Sequence, residues 1–238
     1  PPTPADGGAF APIRSHSLSG RSGCAAAIAE AWETAAAKPS GSAALGGDSS
    51  AAVAVGEAVC PAAAGAAAGA AAAGAGAAAL ACLNLLVSLG ASLHNIIVTD
   101  IDGVVYDGRP GEIDRWKAVF ARQTEHRTLE QAIDGADVFL GLSAAGVLKP
   151  EYLAKMAENP LIMALANPVP EIMPDAAREA RPDAMICTGR SDFPNQVNNV
   201  LCFPYIFRGA LDCGARTINE AMKAAAVTAI AQLAREEP

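Results

Sequence analysis

Gly74-Ala75-Gly76-Ala77-Ala78-Ala79 matches the G-x-G-x-x-G/A turn, in which glycines let a backbone approach a pyrophosphate at a helix N-terminus. A helical pattern follows at once, with Leu80, Leu83, Leu86 and Val87 on one stripe and Gly90 in position for a left-handed C-terminal cap. The β-branched run Ile96-Ile97-Val98-Thr99 then delivers Asp100 about 20 residues beyond the turn, the separation at which a carboxylate accepts hydrogen bonds from an adenosine ribose. Ser143 lies among small residues, Gly141 to Gly146, after the apolar Val138-Phe139-Leu140, where either a close ligand or a tight turn is served. Asn167 stands beyond the apolar run Leu161 to Leu165 and is restrained to extended geometry by Pro168. Its amide could hold a nicotinamide ribose or carboxamide, against the plainer reading of an asparagine that only closes a turn. Of the adjacent Asn198 and Asn199, one is explained as a helix cap, which leaves the other for a ligand carboxylate.

These residues need a scaffold. Apolar strand-like runs at Ile96–Thr99, Val138–Leu142, Leu161–Leu165 and Ala184–Cys187 alternate with helical patterns at 114–123, 128–133, 150–156, 174–180, from Asn195 to Gly214, and from a capping box at Thr217-Ile218-Asn219-Glu220 to about Arg235. Such alternation predicts an α/β class, a Rossmann-like, doubly wound, mostly parallel sheet over residues 73–238, with ligands at the carboxyl ends of its strands. Residues 1–72 differ in kind. They are rich in Ala, Gly, Ser and Pro and offer too little apolar bulk to offset ordering entropy. A low-complexity, poorly structured or aberrant segment is the expectation there. Ala62 to Ala73 contains no β-branched residue, so either the first strand, which should feed the turn, is made of unsuitable material, or the sequence ahead of Gly74 is not the one the fold evolved with, through a frame error or a poorly determined sequence, and the second is the expectation.

Composition narrows the classes. With 238 residues the chain can bury a core as one or two domains. A formal net charge of −8 without any Lys/Arg cluster argues against a nucleic-acid surface. Six cysteines without C-x-x-C or His-partner spacing suggest neither zinc nor disulfides, and no metal ligands are assigned. The Ala/Gly run at 62–79 is too glycine-rich for a membrane span and no leader pattern begins the chain, so a cytoplasmic protein with no membrane partner is expected.

Four stretches, GAGAAALACLNLLVSLGA, GADVFLGLSAAGVLKPE, MALANPVPEIMP and ICTGRSDFPNQVNNVLCFPYIFRGALD, closely resemble the C-terminal nucleotide-binding domain of bacterial malic enzymes, over about two thirds of the chain. The resemblance implies a cofactor, NAD or NADP, with Gly74, Ala75, Gly76, Ala77, Ala78 and Ala79 at the pyrophosphate, Asp100 by the adenosine ribose, Ser143 and Asn167 on the cofactor, and Asn199 at the malate carboxylate. It also implies malate and pyruvate as substrate and product, Mg2+ or Mn2+, and a homo-oligomer in the complete enzyme. The family's catalytic lysine, tyrosine and carboxylate metal ligands precede the turn. Here all three tyrosines, Tyr106, Tyr152 and Tyr205, follow it and Lys38 is the sole early lysine, so no base, acid or metal ligand is assigned and little malate turnover is expected of this chain alone. Asp100 and Asp102 would repel a 2′-phosphate and favour NAD, while Arg109 lies close enough to accommodate NADP. A non-catalytic dinucleotide-binding or regulatory module, or another hydroxy-acid or amino-acid dehydrogenase domain, stays open as an alternative.

Overall fold

The computed structural model describes residues 69–236, with side-chain environments to residue 233; expectations for residues 1–68 lie outside these. Six strands form one sheet in the order β3-β2-β1-β4-β5-β6. They are β1 (Ala70–Ala73), β2 (Ile96–Asp100), β3 (Gly103–Val104), β4 (Val138–Gly141), β5 (Leu161–Ala164) and β6 (Met185–Thr188). All pairings are parallel except β2 with the short edge strand β3. The helices are α1 (Ala77–Ser88), α2 (Arg115–Ala118), α3 (Leu129–Ala132), α4 (Pro150–Leu153), α5 (Pro174–Ala180), α6 (Tyr205–Asp212) and α7 (Glu220–Glu236).

The pleat divides the core into two layers, as strand periodicity requires. Ala71, Ala73, Phe139, Ile162, Ala164 and Ile186 pack with Ala132 and Ile133 of the α3 region, Leu153 of α4 and Ala177 of α5. Ala72, Val98, Leu140, Leu161, Met163 and Cys187 face the other way and pack with Leu80 and Leu83 of α1 and with Phe120. Helices cover both faces, which is the doubly wound architecture expected from the alternation.

The first strand is present and is made of the unsuitable material, the alternative to an aberrant sequence at this point. β1 consists of four alanines, and three of them, Ala71, Ala72 and Ala73, are essentially inaccessible. Alanine is depleted in strands, on a host-protein scale that spans about 1 kcal/mol, but each residue of β1 is registered against β2 on one side and β4 on the other. Two complete ladders and full burial override the propensity. Among the described residues the sheet includes Ala70–Ala73, whose first three positions fall inside the segment expected to lack structure.

Other departures are local. The helix expected over 114–123 stops after Ala118, because the chain folds Phe120 into the core and then runs extended, Arg122 bridging Tyr106. The helix from Pro150 ends at Leu153 instead of Met156. The helix expected from Asn195 to Gly214 is split into a 3-10 turn, Asn199–Leu201, and α6, with Pro204, which has no N–H to donate, at the break. Asn219, not Thr217, caps α7, its Oδ1 accepting from Met222 N at 3.0 Å. The Thr128–Gln131 capping box forms as its spacing predicts, and α5 occupies its expected residues.

Candidate functional site

Because β2, β1, β4, β5 and β6 run in one direction, their carboxyl ends share a rim. Along it lie, in order, Asp100, the Gly74–Gly76 turn, Leu142–Ser143, Ala166–Asn167 and Gly189–Asp192. Backbone bonds stitch the rim together: Gly74 N to Thr99 O at 2.9 Å, Leu142 N to Ala73 O at 2.9 Å, and Leu165 N to Gly141 O at 3.0 Å. Four strand spacings separate its ends, roughly 19 Å.

The three small positions of the turn have separate structural roles. Gly74 has a φ of +103°, and a Cβ there would be driven into the Leu142 carbonyl. Gly76 is the N-cap of α1, with ordinary φ of −81° and nothing within 4 Å of where a Cβ would stand. Open space thus faces the unpaired N–H groups of a twelve-residue helix, a setting that fits an anionic diphosphate. Ala79 is fully buried and sets the approach of α1 to the sheet.

At the far end of the rim Asp100 is almost enclosed, its side chain 7% exposed. Arg109 grips both carboxylate oxygens, at 2.8 and 2.9 Å, Lys117 Nζ adds a contact at 3.2 Å, and the Asp102 N–H donates at 3.0 Å. The Arg109 hydrogen bonds, joined by those from Asp102 and Lys117, outweigh desolvation and hold the carboxyl down at about 2.

Glu171 carries no signal in the sequence pattern, yet it ties the middle of the rim together. Its side chain is fully buried. Oε1 accepts from Ser143 N at 2.8 Å and Ser143 Oγ at 3.1 Å, and Oε2 accepts from Ala166 N at 3.0 Å. The carboxylate sits against Gly141, where a Cβ would come within 2.5 Å of its Cδ. Ser143, a sequence candidate, thus has its hydroxyl engaged by Glu171 while its residue remains exposed on the rim.

Asn167, Pro168, Gly189, Arg190, Ser191, Asp192, Gln196 and Asn198 line a cavity of about 310 Å³ at the ends of β5 and β6. Gly189 leaves room for the Asn167 amide, whose Nδ2 would lie 3.2 Å from a Cβ at that position. Arg190 pairs with Asp192 at 2.8 and 2.6 Å, as sequence proximity suggests, and also donates to the Pro168 carbonyl at 2.8 Å, bracing the two loops. Asn198 is the capping member of its pair, Oδ1 accepting from Val200 N at 3.1 Å. Asn199 starts the 3-10 turn beside it and is exposed.

Cys187 in β6 is a packing residue, its thiol pushed up to about 12 by burial. Among the described residues no three His, Cys, Asp or Glu side chains stand close enough together to hold a metal ion, and no step is assigned through one. No helix among them is long and apolar enough to cross a membrane.

Residues 40–238 match the family model described as malic enzyme, NAD binding domain. The NAD-dependent malic enzyme of Rhizobium meliloti is 77% identical over 159 residues, and the NADP-dependent malic enzyme of Salmonella typhimurium 62% identical over 159 residues. These alignments cover 67% and 66% of this chain but only 21% of each relative, so the chain spans about a fifth of their length. The crystal structure of the NAD-dependent malic enzyme of Thermotoga maritima superposes with a TM-score of 0.64 at 30% identity, over 79% of this chain and 56% of that one. A match over most of the chain, on a sheet whose rim carries the turn, the acid and the asparagine cavity, makes this protein a member of the malic enzyme NAD-binding domain family.

Proposed function

We propose that this chain is the cofactor-binding part of an NAD(P)-dependent malic enzyme, which oxidatively decarboxylates malate to pyruvate and CO2. One observation carries the reading: the acid, the glycine turn, the Ser143 loop and the Asn167 cavity follow one another along a single strand-end rim, in the order in which an extended dinucleotide would meet them. A bound nicotinamide would supply the acceptor for the hydride leaving malate C2. The chain's own residues bind and orient: α1 and the Gly74–Gly76 backbone receive the pyrophosphate, Asn167 meets the nicotinamide end, and Asn199, beside the cavity-lining Asn198, reaches the malate carboxylate. The base, the acid and the Mg2+ or Mn2+ ligands are not assigned to residues of this chain. Exposed Val200, Phe203, Phe207 and Leu211 near α6 support assembly with a partner domain or a second copy in a cytoplasmic enzyme.

Titration of the full chain with NADH, followed by nicotinamide fluorescence, is expected to show saturable binding, with little malate-dependent NAD(P)H production in the presence of Mg2+ or Mn2+. Absence of binding overturns the reading of the rim; robust turnover overturns the assignment of the catalytic groups elsewhere. A finer test uses Gly189→Ala. Its methyl group presses on the Asn167 amide at 3.2 Å, so stability should change by less than about 1 kcal/mol while NADH affinity falls roughly three- to tenfold. Unchanged affinity would remove Asn167 from the cofactor.

A further inference from the structure

We propose that Asn195 is a positioning residue for the cavity at the ends of β5 and β6: its side-chain amide pins residues 195–198 on the edge of β6 and so decides that Gln196 and Asn198 face the ligand. The inference rests on the reading above, in which the nicotinamide end of a dinucleotide enters this cavity, and names the residue that sets one wall of it.

Asn195 is one of two described residues other than glycine with a positive φ, at +58°. Beyond it the chain runs beside β6 for a single rung. The Thr188 N–H donates to the Asn195 carbonyl at 3.3 Å and the Val197 N–H donates to the Thr188 carbonyl at 2.7 Å, so that Gln196 lies opposite Thr188. In an unbroken parallel ladder the next donor, to the carbonyl of Ile186, would be the main-chain N–H of residue 195. The positive φ breaks the strand there, and the side chain takes over the rung: Asn195 Nδ2 donates to Ile186 O at 3.1 Å. The amide is held by this donor alone, because its Oδ1 is buried without a partner among the described residues. Turning the amide over would set oxygen against oxygen.

What the rung fixes is register. Alternate residues of an extended segment share a face. Gln196 and Asn198 both line the cavity with Asn167, while Val197 between them packs on the core layer that contains Met163 and Cys187. A slip of one residue would exchange these faces, putting Val197 into the cavity and two amides against the core. The main-chain bonds at Thr188 hold the register from one side. Asn195 holds it from the other, next to Pro194, which has no N–H to offer the sheet. Asn198 then spends its Oδ1 on Val200 N, whereas the Gln196 amide makes no hydrogen bond to another described residue and is left for the ligand.

The test compares NADH with ADP on the full chain, the first followed by nicotinamide fluorescence and the second by calorimetry. ADP carries the adenosine and the diphosphate but stops short of the nicotinamide ribose, so it does not reach this cavity. Asn195→Gly keeps a residue suited to the positive φ and removes the amide. Asn195→Asp keeps the outline and puts an acceptor where the donor stood. Both are expected to weaken NADH roughly five- to tenfold, the aspartate variant more, and to leave ADP within about twofold of the parent. Thermal unfolding of each variant sets a temperature at which the titrated protein is folded, so that lost stability does not pass for lost affinity. Unchanged NADH affinity in both variants, or an equal loss for NADH and ADP, overturns the positioning role and leaves the dinucleotide reading standing. A parent chain that binds neither nucleotide, or ADP alone, overturns both.

Discussion

Gly141→Ala is expected to destabilise the domain by about 3 kcal/mol, and the same substitution in a Glu171→Ala background by much less. The backbone of Gly141 is not at fault, since its φ lies outside the left-handed region; the damage is steric. A Cβ at 141 would stand 2.5 Å from Glu171 Cδ and 2.7 and 2.8 Å from its two oxygens. The carboxylate cannot step aside. It is fully buried and held by Ser143 N, Ser143 Oγ and Ala166 N. Glu171→Ala alone should cost about 2–4 kcal/mol, because the buried Ala166 N–H loses its acceptor and a charged hydrogen-bonding group is replaced by a void. Removing the carboxylate also removes what the added methyl would strike, so the two changes should couple by about 2 kcal/mol in a urea-unfolding double-mutant cycle. Additive costs would mean that glycine at 141 answers to something other than Glu171. Since the clamp joins the loops after β4 and β5, either variant that still folds should bind NADH more weakly than the parent.

That clamp shows where sequence reading stops. The glycine and the glutamate are thirty positions apart, and neither periodicity nor spacing pairs them; only the parallel neighbours β4 and β5 bring Ser143, Ala166 and the buried carboxylate to one point. Lys117 was illegible for the same reason, reaching Asp100 from a four-residue helix on another segment, whereas Arg109 could be suspected from its nearness in the chain. What was legible obeys local rules. The strands β2, β4, β5 and β6 are continuous apolar runs because both faces of a parallel sheet are covered, and the Thr128–Gln131 box and the Pro-led α5 follow from side-chain capping and fixed φ. β1 broke the rule because strand propensity depends on what the strand packs against, and four alanines between two formed ladders have little conformational choice left. Asn167 and the Asn198/Asn199 pair could be picked out by type, but that Asn167 and Asn198 share a cavity required coordinates.

The two glycines of the turn give the strongest separation of structure from ligand. Gly74→Ala should cost about 3 kcal/mol or more, since a residue with a side chain is asked to hold φ of +103° with its Cβ against the backbone of Leu142 and Ser143, which belongs to a central strand end and cannot yield. Gly76→Ala should behave oppositely. Its φ of −81° suits alanine, its Cβ would meet no protein atom within 4 Å, and the only structural loss is glycine's modest advantage as an N-cap, well under ~1 kcal/mol. The space that the methyl enters is the approach to the first N–H groups of α1, so NADH affinity should fall at least about tenfold while the thermal unfolding midpoint barely moves. Thermal unfolding and NADH titration on the same two preparations decide the matter. A Gly76→Ala protein that binds NADH as tightly as its parent would put the pyrophosphate somewhere other than this turn, and with it would go the alignment of the nucleotide along the whole strand-end rim.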